Sequence, residues 1–224
     1  MAPEPMAPDG RWVCLDVGET LIDETRVWST WADVLAIPRL TFMAALGAVI
    51  ARGGDHRDVF GVFGLEEPAW RGRMPEVEQR YGGFQEEDLY PDARSGLQRL
   101  ADAGCRVAIL ANQPAVRTAE LRALGIAAPV MAMSDEIGVA KPAAAFFARA
   151  LELLGSPDPA DVAYVGDRVD NDVLPAMAAG MRAVWLRRGP WGAIQDIPDG
   201  VRPALVVQTL DELVDRIGEV WAAS

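Results

Sequence analysis

A short apolar run ending in an acid spans Trp12–Asp16, and similar runs recur at Val107–Leu110, Val130–Met133, Val162–Val165, Ala183–Leu186 and Leu205–Val207. Runs this short, apolar throughout rather than alternating, predict strands buried on both faces. Between most of them apolar residues return every three or four positions, over Asp92–Ala103, Ala115–Leu124, Ala143–Leu154 and Asn171–Ala179. That spacing predicts helices, and Gly104, Gly125, Gly155 and Gly180 follow where a helix C-terminus favours glycine. Strand and helix in alternation predict an α/β fold, a three-layer Rossmann-like parallel sheet covered on both faces.

The stretch 24–88 breaks the alternation. Val27, Trp28, Trp31, Val34 and Leu35 fall on one helical face, and Phe42, Met43, Leu46, Val49 and Ile50 repeat the pattern. Val59–Phe63 and Pro75–Tyr81 predict further helices. The expected organisation is a flexible tail over 1–10, a core from 11–23 and 89–224, and an all-helical cap over 24–88. An insertion directly after a functional loop is placed to act as a lid.

Composition narrows the partners. With 224 residues, one domain carrying an insertion is expected. Thirty-three acids against 21 bases leave a formal charge of -12, which repels nucleic-acid backbones and anionic lipid. No apolar run reaches the ~20 residues that span a bilayer, and the N-terminus lacks the pattern of a secretion signal. Cys14 and Cys105 lie in apolar stretches and read as small buried hydrophobes, so a cytoplasmic protein is expected. Nothing in the sequence specifies an oligomeric state.

The candidate chemistry lies at the strand ends, where open parallel sheets bind ligands. The first strand ends in Asp16, followed by Gly18 and Thr20; the second ends in Ala111 and Asn112. Lys141-Pro142 follows the third, and Gly166-Asp167 ends the fourth, with Asp170, Asn171 and Asp172 beyond. Carboxylates converging with one amide and one ammonium suit a hard divalent cation such as Mg²⁺ and a phosphate group. Asp16 is then a candidate nucleophile forming an aspartyl-phosphate. Lys141 is the only lysine among 21 basic residues, which points to a position needing a compact ammonium rather than a planar guanidinium.

These motifs resemble the haloacid dehalogenase-like hydrolase superfamily. Leu15-Asp16-Val17-Gly18-Glu19-Thr20-Leu21 is similar to its first motif, a strand followed by D-x-D-x-T-L. Val107–Asn112 is placed like the second motif, Lys141-Pro142 like the third, and Gly166-Asp167 through Asp172 like the fourth, G-D-x-x-x-x-D. The resemblance covers about residues 11–188, and 24–88 resembles the family's cap inserted after the first motif. It implies Asp16 and Lys141 as catalytic residues, with Lys141 positioning both nucleophile and phosphate. It implies a Mg²⁺ site from Asp16, the Gly18 carbonyl, Asp167 directly, and Asp172 directly or through water. Asn112, Thr20 and Lys141 are implied around a small phosphorylated substrate, Thr20 as a brace for the loop.

Two positions depart from the pattern. Gly18 stands where the family's phosphatases carry a second Asp as general acid and base, and Ala111 stands where the second motif has Ser or Thr. General acid–base assistance is typically worth ~10²–10⁴-fold, so the expected phosphatase has a weakened or rerouted proton step. Glu19 and His56 are the candidate substitutes, with an exposed polar position as the competing reading of His56. Two other functions stay open: a catalytically weak member that binds a phosphorylated ligand or a protein, and a haloacid dehalogenase. Retention of both Asp167 and Asp172 weighs against the dehalogenase.

Overall fold

The computed structural model describes residues 10–222. The expected tail at 1–10 lies outside the described residues, apart from Gly10. Six strands form one parallel sheet: β1 (Trp12–Leu15), β2 (Arg106–Ala111), β3 (Val130–Met133), β4 (Val162–Gly166), β5 (Arg182–Leu186) and β6 (Leu205–Val207). Their order is β3-β2-β1-β4-β5-β6, so strand order reverses beside β1, and that reversal opens a crevice at the C-terminal strand ends. Register aligns Leu15 with both Ile109 and Val165, which brings the ends of β1, β2 and β4 level.

Alternate residues of each strand serve opposite faces. Val13, Leu15, Val107, Ile109, Ala163 and Val165 join one buried cluster, and Trp12, Cys14, Ala108, Leu110, Val162 and Tyr164 join the other. Helices cover both faces, as the alternating pattern requires. Both cysteines are free and buried, and burial pushes the Cys105 thiol up to about 11, so both behave as small hydrophobes.

Between β1 and β2 the chain forms α1 (Thr25–Val34), α2 (Arg39–Ile50), α3 (Asp58–Val62), α4 (Glu67–Arg71) and α5 (Met74–Tyr81). A third cluster holds them together, with Trp28, Trp31, Phe42, Phe60 and Trp70 at its centre. Helix α4 was not expected, because its five residues include one buried apolar side chain, Trp70, and show no period. After it come α6 (Ala93–Asp102), α7 (Val116–Ala123), α8 (Ser134–Ile137), α9 (Ala144–Leu153), α10 (Leu174–Ala178), α11 (Gly189–Ile194) and α12 (Leu210–Asp215). Trp191 of α11 packs into the helical cluster from the sheet side. Arg117 of α7 ties that helix to α5 by an ion pair with Glu78 and pairs with Glu120 on its own helix, each at 2.8 Å. No single helix among the described residues is long and apolar enough to cross a membrane.

One predicted helix differs in a way that matters for the site. The helix expected over Asn171–Ala179 is split into a widened π turn at Val169–Val173 and then α10. The Val173 amide donates back to the Arg168 carbonyl, five residues earlier, instead of making the usual i-to-i−4 bond. Such turns cluster at functional sites because the extra residue re-aims a side chain. Here Asp172 lies on the turn, with its carboxylate folded back over Gly166.

Candidate active site

The four strand ends meet around Asp16. Its amide donates to the Val165 carbonyl at 2.9 Å, continuing the β1–β4 ladder by one residue and fixing the carboxylate at the crevice. Lys141 Nζ lies 2.9 Å from Asp16 Oδ1 and 2.6 Å from Asp172 Oδ1, with its side chain wholly buried. Burial disfavours the ammonium, but Asp16 and Asp172 more than offset that, so Lys141 stays charged well above the ordinary lysine range. The Arg168 amide donates to the other Asp172 oxygen at 3.0 Å. A Cβ on Gly166 would lie 2.4 Å from this carboxylate, so only glycine leaves room for it.

Asp16, Asp167 and Asp172 each offer a carboxylate oxygen, and the three oxygens lie within 4.8 Å of one another. Asp167 Oδ2 is buried without a hydrogen-bond partner. Burial, then the charges of Asp172 and Asp16, hold the Asp167 carboxyl well above its usual range; burial and Asp16 hold Asp172 at about 6. One lysine does not balance these acids. A hard cation would supply the missing charge, and these carboxylate oxygens are the donor type it prefers. Both oxygens of Asp172 already have partners. Asp16 and the orphaned Asp167 would be the carboxylates to hold such a cation directly, with Asp172 reaching it only through a water.

A cavity of about 200 Å³ opens over these groups, lined by Asp16, Gly18, Glu24, Asn112, Asp167 and His56 among others. The placements of Asn112 and Thr20 differ from expectation. Asn112 lines the cavity, but its Nδ2 donates to the Lys141 carbonyl at 2.9 Å and its Oδ1 accepts from the Lys141 amide at 2.8 Å. This side chain braces the lysine loop. Thr20 is fully buried off the cavity, its hydroxyl unpartnered, while its carbonyl accepts from Arg188 at 3.1 Å. It does not line the cavity, and its hydroxyl makes no hydrogen bond through which it could brace the loop. Lys141 likewise sits behind Asp16 rather than on the cavity wall.

Glu19 is drawn inward in a left-handed conformation, φ 49°. Its carboxylate accepts from the Tyr90 hydroxyl and, at 3.0 Å, from the Glu24 amide. The more informative residue is Glu24, which the sequence reading passed over as the first residue of the insertion. Its Oε1 lies 2.4 Å from the position a Cβ would take on Gly18, so the carboxylate fills the space a side chain at 18 would occupy. The Gln113 amide donates to Oε1 and the Trp28 indole to Oε2, each at 3.3 Å. Burial, with Glu19 and Asp16 nearby, pushes this carboxyl up to about 7.

His56 lies between the rings of Trp28 and Trp191, centroids 5.6 and 6.2 Å away, with Nδ1 3.4 Å from Arg168 Nη1. It is a cavity residue, not an exposed one. Burial lowers its pKa to about 4 against the opposing pull of Asp55, with Arg57 and Arg168 adding to the fall, so the ring is neutral near pH 7. A depressed histidine contributes stability that is full above its ordinary value near 6.5 and is lost as pH falls towards 4. His56→Gln is therefore expected to flatten the fall in denaturant midpoint between pH 6.5 and 4. Wild type and variant falling in parallel over that window would contradict it.

The family model for haloacid dehalogenase-like hydrolases matches residues 11–180. Pyrimidine 5'-nucleotidase YjjG of Escherichia coli is 37% identical over 84 residues, covering 38% of this chain and 36% of the relative. Glyceraldehyde 3-phosphate phosphatase of Methanopyrus kandleri is 34% identical over 134 residues, 58% of this chain and 57% of the relative. The chain thus spans between a third and about half the length of these two curated relatives. The L-2-haloacid dehalogenase RSc1362 superposes with a TM-score of 0.71 over 94% of this chain and 99% of its own, at 17% identity, which speaks for the fold alone. A family match over three quarters of the chain, on the fold and strand ends described above, means that this protein belongs to the haloacid dehalogenase-like hydrolases.

Proposed function

We propose that the protein is a Mg²⁺-dependent phosphatase that hydrolyses a small phosphorylated metabolite through an aspartyl-phosphate on Asp16. The observation that carries this reading is the acidic excess at the strand ends. Asp16 and Asp172 share a single ammonium, Asp167 offers a third carboxylate within 4.8 Å of both, and Asp167 Oδ2 is orphaned. A dehalogenase needs no cation there; a phosphatase does. Phosphatases among the curated relatives support the same choice. Mg²⁺ would be held by Asp16 and Asp167, with Asp172 through water and the Gly18 carbonyl completing the loop side. When bound it would supply charge for the substrate's phosphate oxygens and lower the repulsion met by an anionic nucleophile.

The remaining work falls to the chain. Lys141 holds one Asp16 oxygen and so orients the other towards the cavity. Asp16 attacks phosphorus, the bond to the leaving oxygen breaks, and a water then releases phosphate and regenerates the carboxylate. Asn112 keeps Lys141 in place through its backbone. Residues 24–88 form the proposed cap; they contribute Glu24, Val27, Trp28 and His56 to the cavity wall, where they exclude water and select the substrate.

The test is hydrolysis of an aryl phosphate with Mg²⁺, with chelator, and with Mg²⁺ restored. Turnover is expected with the metal, at least ~10²-fold less in chelator, and recovery on restoration. Turnover of a 2-haloacid in chelator, without phosphate release from the aryl ester, would replace this reading by the dehalogenase.

A further inference from the structure

Phosphoryl transfer from an alkyl ester leaves an alkoxide, which is a poor leaving group unless a proton reaches it as the bond breaks. Asp16 is committed as nucleophile, and Lys141 and Asp172 are bonded to each other behind it. Position 18, two residues and at most about 7 Å of chain beyond the nucleophile, has no side chain. His56 is packed between two indoles. Glu19 is tied to Tyr90 and to the Glu24 backbone.

That leaves Glu24. Its carboxyl lines the same cavity as Asp16. Its Oε1 reaches within 2.4 Å of where a side chain on Gly18 would begin. Both of its side-chain partners, Gln113 and Trp28, are neutral donors, each 3.3 Å away, and leave it free of any ion pair with them. The absent side chain and the carboxyl in its place are one arrangement: any larger residue at 18 would evict Glu24.

We propose that Glu24, contributed by the helical insertion, is the general acid and base of the reaction. The inference rests on the phosphatase reading above. As Asp16 bonds to phosphorus, the electron pair of the breaking P–O bond passes to the leaving oxygen, which takes the proton of Glu24. The Glu24 carboxylate then takes a proton from the water that attacks the aspartyl-phosphate; the P–O bond to Asp16 breaks, phosphate departs, and Glu24 is protonated again. Because Glu24 stands at the junction of loop and insertion, movement of the insertion would also bring the proton donor to the substrate or withdraw it.

The experiment compares kcat/KM for Glu24→Gln and wild type on an alkyl phosphate, such as glycerol phosphate, and on an aryl phosphate with a nitrophenolate leaving group. Gln keeps the shape and can still accept from Trp28. The loss is expected to be ~10²–10³-fold on the alkyl ester and no more than about tenfold on the aryl ester, whose leaving group needs little protonation. A merely structural residue would lower both equally, and equal losses overturn the proposal. If Gln does not fold, Gly18→Asp with Glu24→Ala moves the carboxyl to the other anchor; alkyl turnover at least tenfold above Glu24→Ala alone supports the proposal, and no gain overturns it. Absence of aryl-phosphate turnover in the wild type would instead overturn the phosphatase reading itself, so the two failures are distinct.

Discussion

Asp16→Asn is expected to lower aryl-phosphate turnover by at least ~10⁴-fold while leaving the fold intact, because it removes the attacking group and one proposed ligand of the cation while keeping the side chain's shape. The amide has the shape of the carboxylate, and its oxygen can still accept from Lys141, 2.9 Å away in the native protein. The substitution also removes one negative charge from a cluster in which Asp167 and Asp172 are both held above their usual range, with Asp16 among the causes. Thermal stability should therefore be unchanged or higher. An inactive variant with an equal or raised Tm separates loss of the nucleophile from loss of structure. Retained turnover would remove Asp16 from the chemistry.

Lys141→Ala should damage both stability and activity. Its ammonium is the shared partner of Asp16 and Asp172, and its side chain is wholly buried beside Tyr164, 5.3 Å from that ring's centroid. Removing one partner of a buried ionic group leaves the others uncompensated, which costs about 3–5 kcal/mol. The loss should grow with pH. Asp172 has its pKa raised to about 6, so its ionisation works against the fold: the stability it permits is full below the ordinary carboxylate range and is lost as pH rises through 6. Without the ammonium that penalty is larger, so the variant should unfold more readily at pH 8 than at pH 5. Turnover should fall ~10²–10³-fold even at temperatures where it folds. Lys141→Arg should restore little, since a planar guanidinium does not fit a pocket built for two contacts to one nitrogen. Denaturant titrations of both variants at pH 5 and pH 8 check this; equal losses at the two pH values would contradict it.

The sheet was legible because its strands are buried on both faces. Trp12–Leu15 and Val162–Val165 can only be central strands of a covered sheet, and they pair as such. The convergence of Asp16, Lys141, Asp167 and Asp172 followed from the same logic, since parallel strands bring their C-terminal ends to one edge. Less legible was anything set by tertiary packing. The π turn at Val169–Val173 leaves no trace in hydrophobic period, because its residues keep an ordinary helical pattern. Asn112 sits where a phosphate ligand belongs, and only the path of the lysine loop shows that its amide is spent on Lys141. His56 follows Gly53-Gly54-Asp55, a run that reads as an exposed turn, yet the fold turns its ring between two tryptophans.

Glu24 shows the limit most clearly. The sequence displays a gap at Gly18 and an acid six residues later, at the start of what reads as a separate helical unit. Nothing local joins them. The return of the chain between Val17 and Ile22, whose amides and carbonyls close a tight loop, brings the two together. A side-chain gap beside a nucleophile, followed closely by an acid outside any helical face, is the signal that would have found it.

The most direct measurement is of the covalent intermediate. Enzyme mixed with aryl phosphate and Mg²⁺, quenched in acid within one turnover and digested, should carry a phosphoryl group on the peptide containing Asp16 and on no other. Asp16→Asn should carry none. Turnover at the wild-type rate without any phosphoryl-aspartate on that peptide would contradict the account.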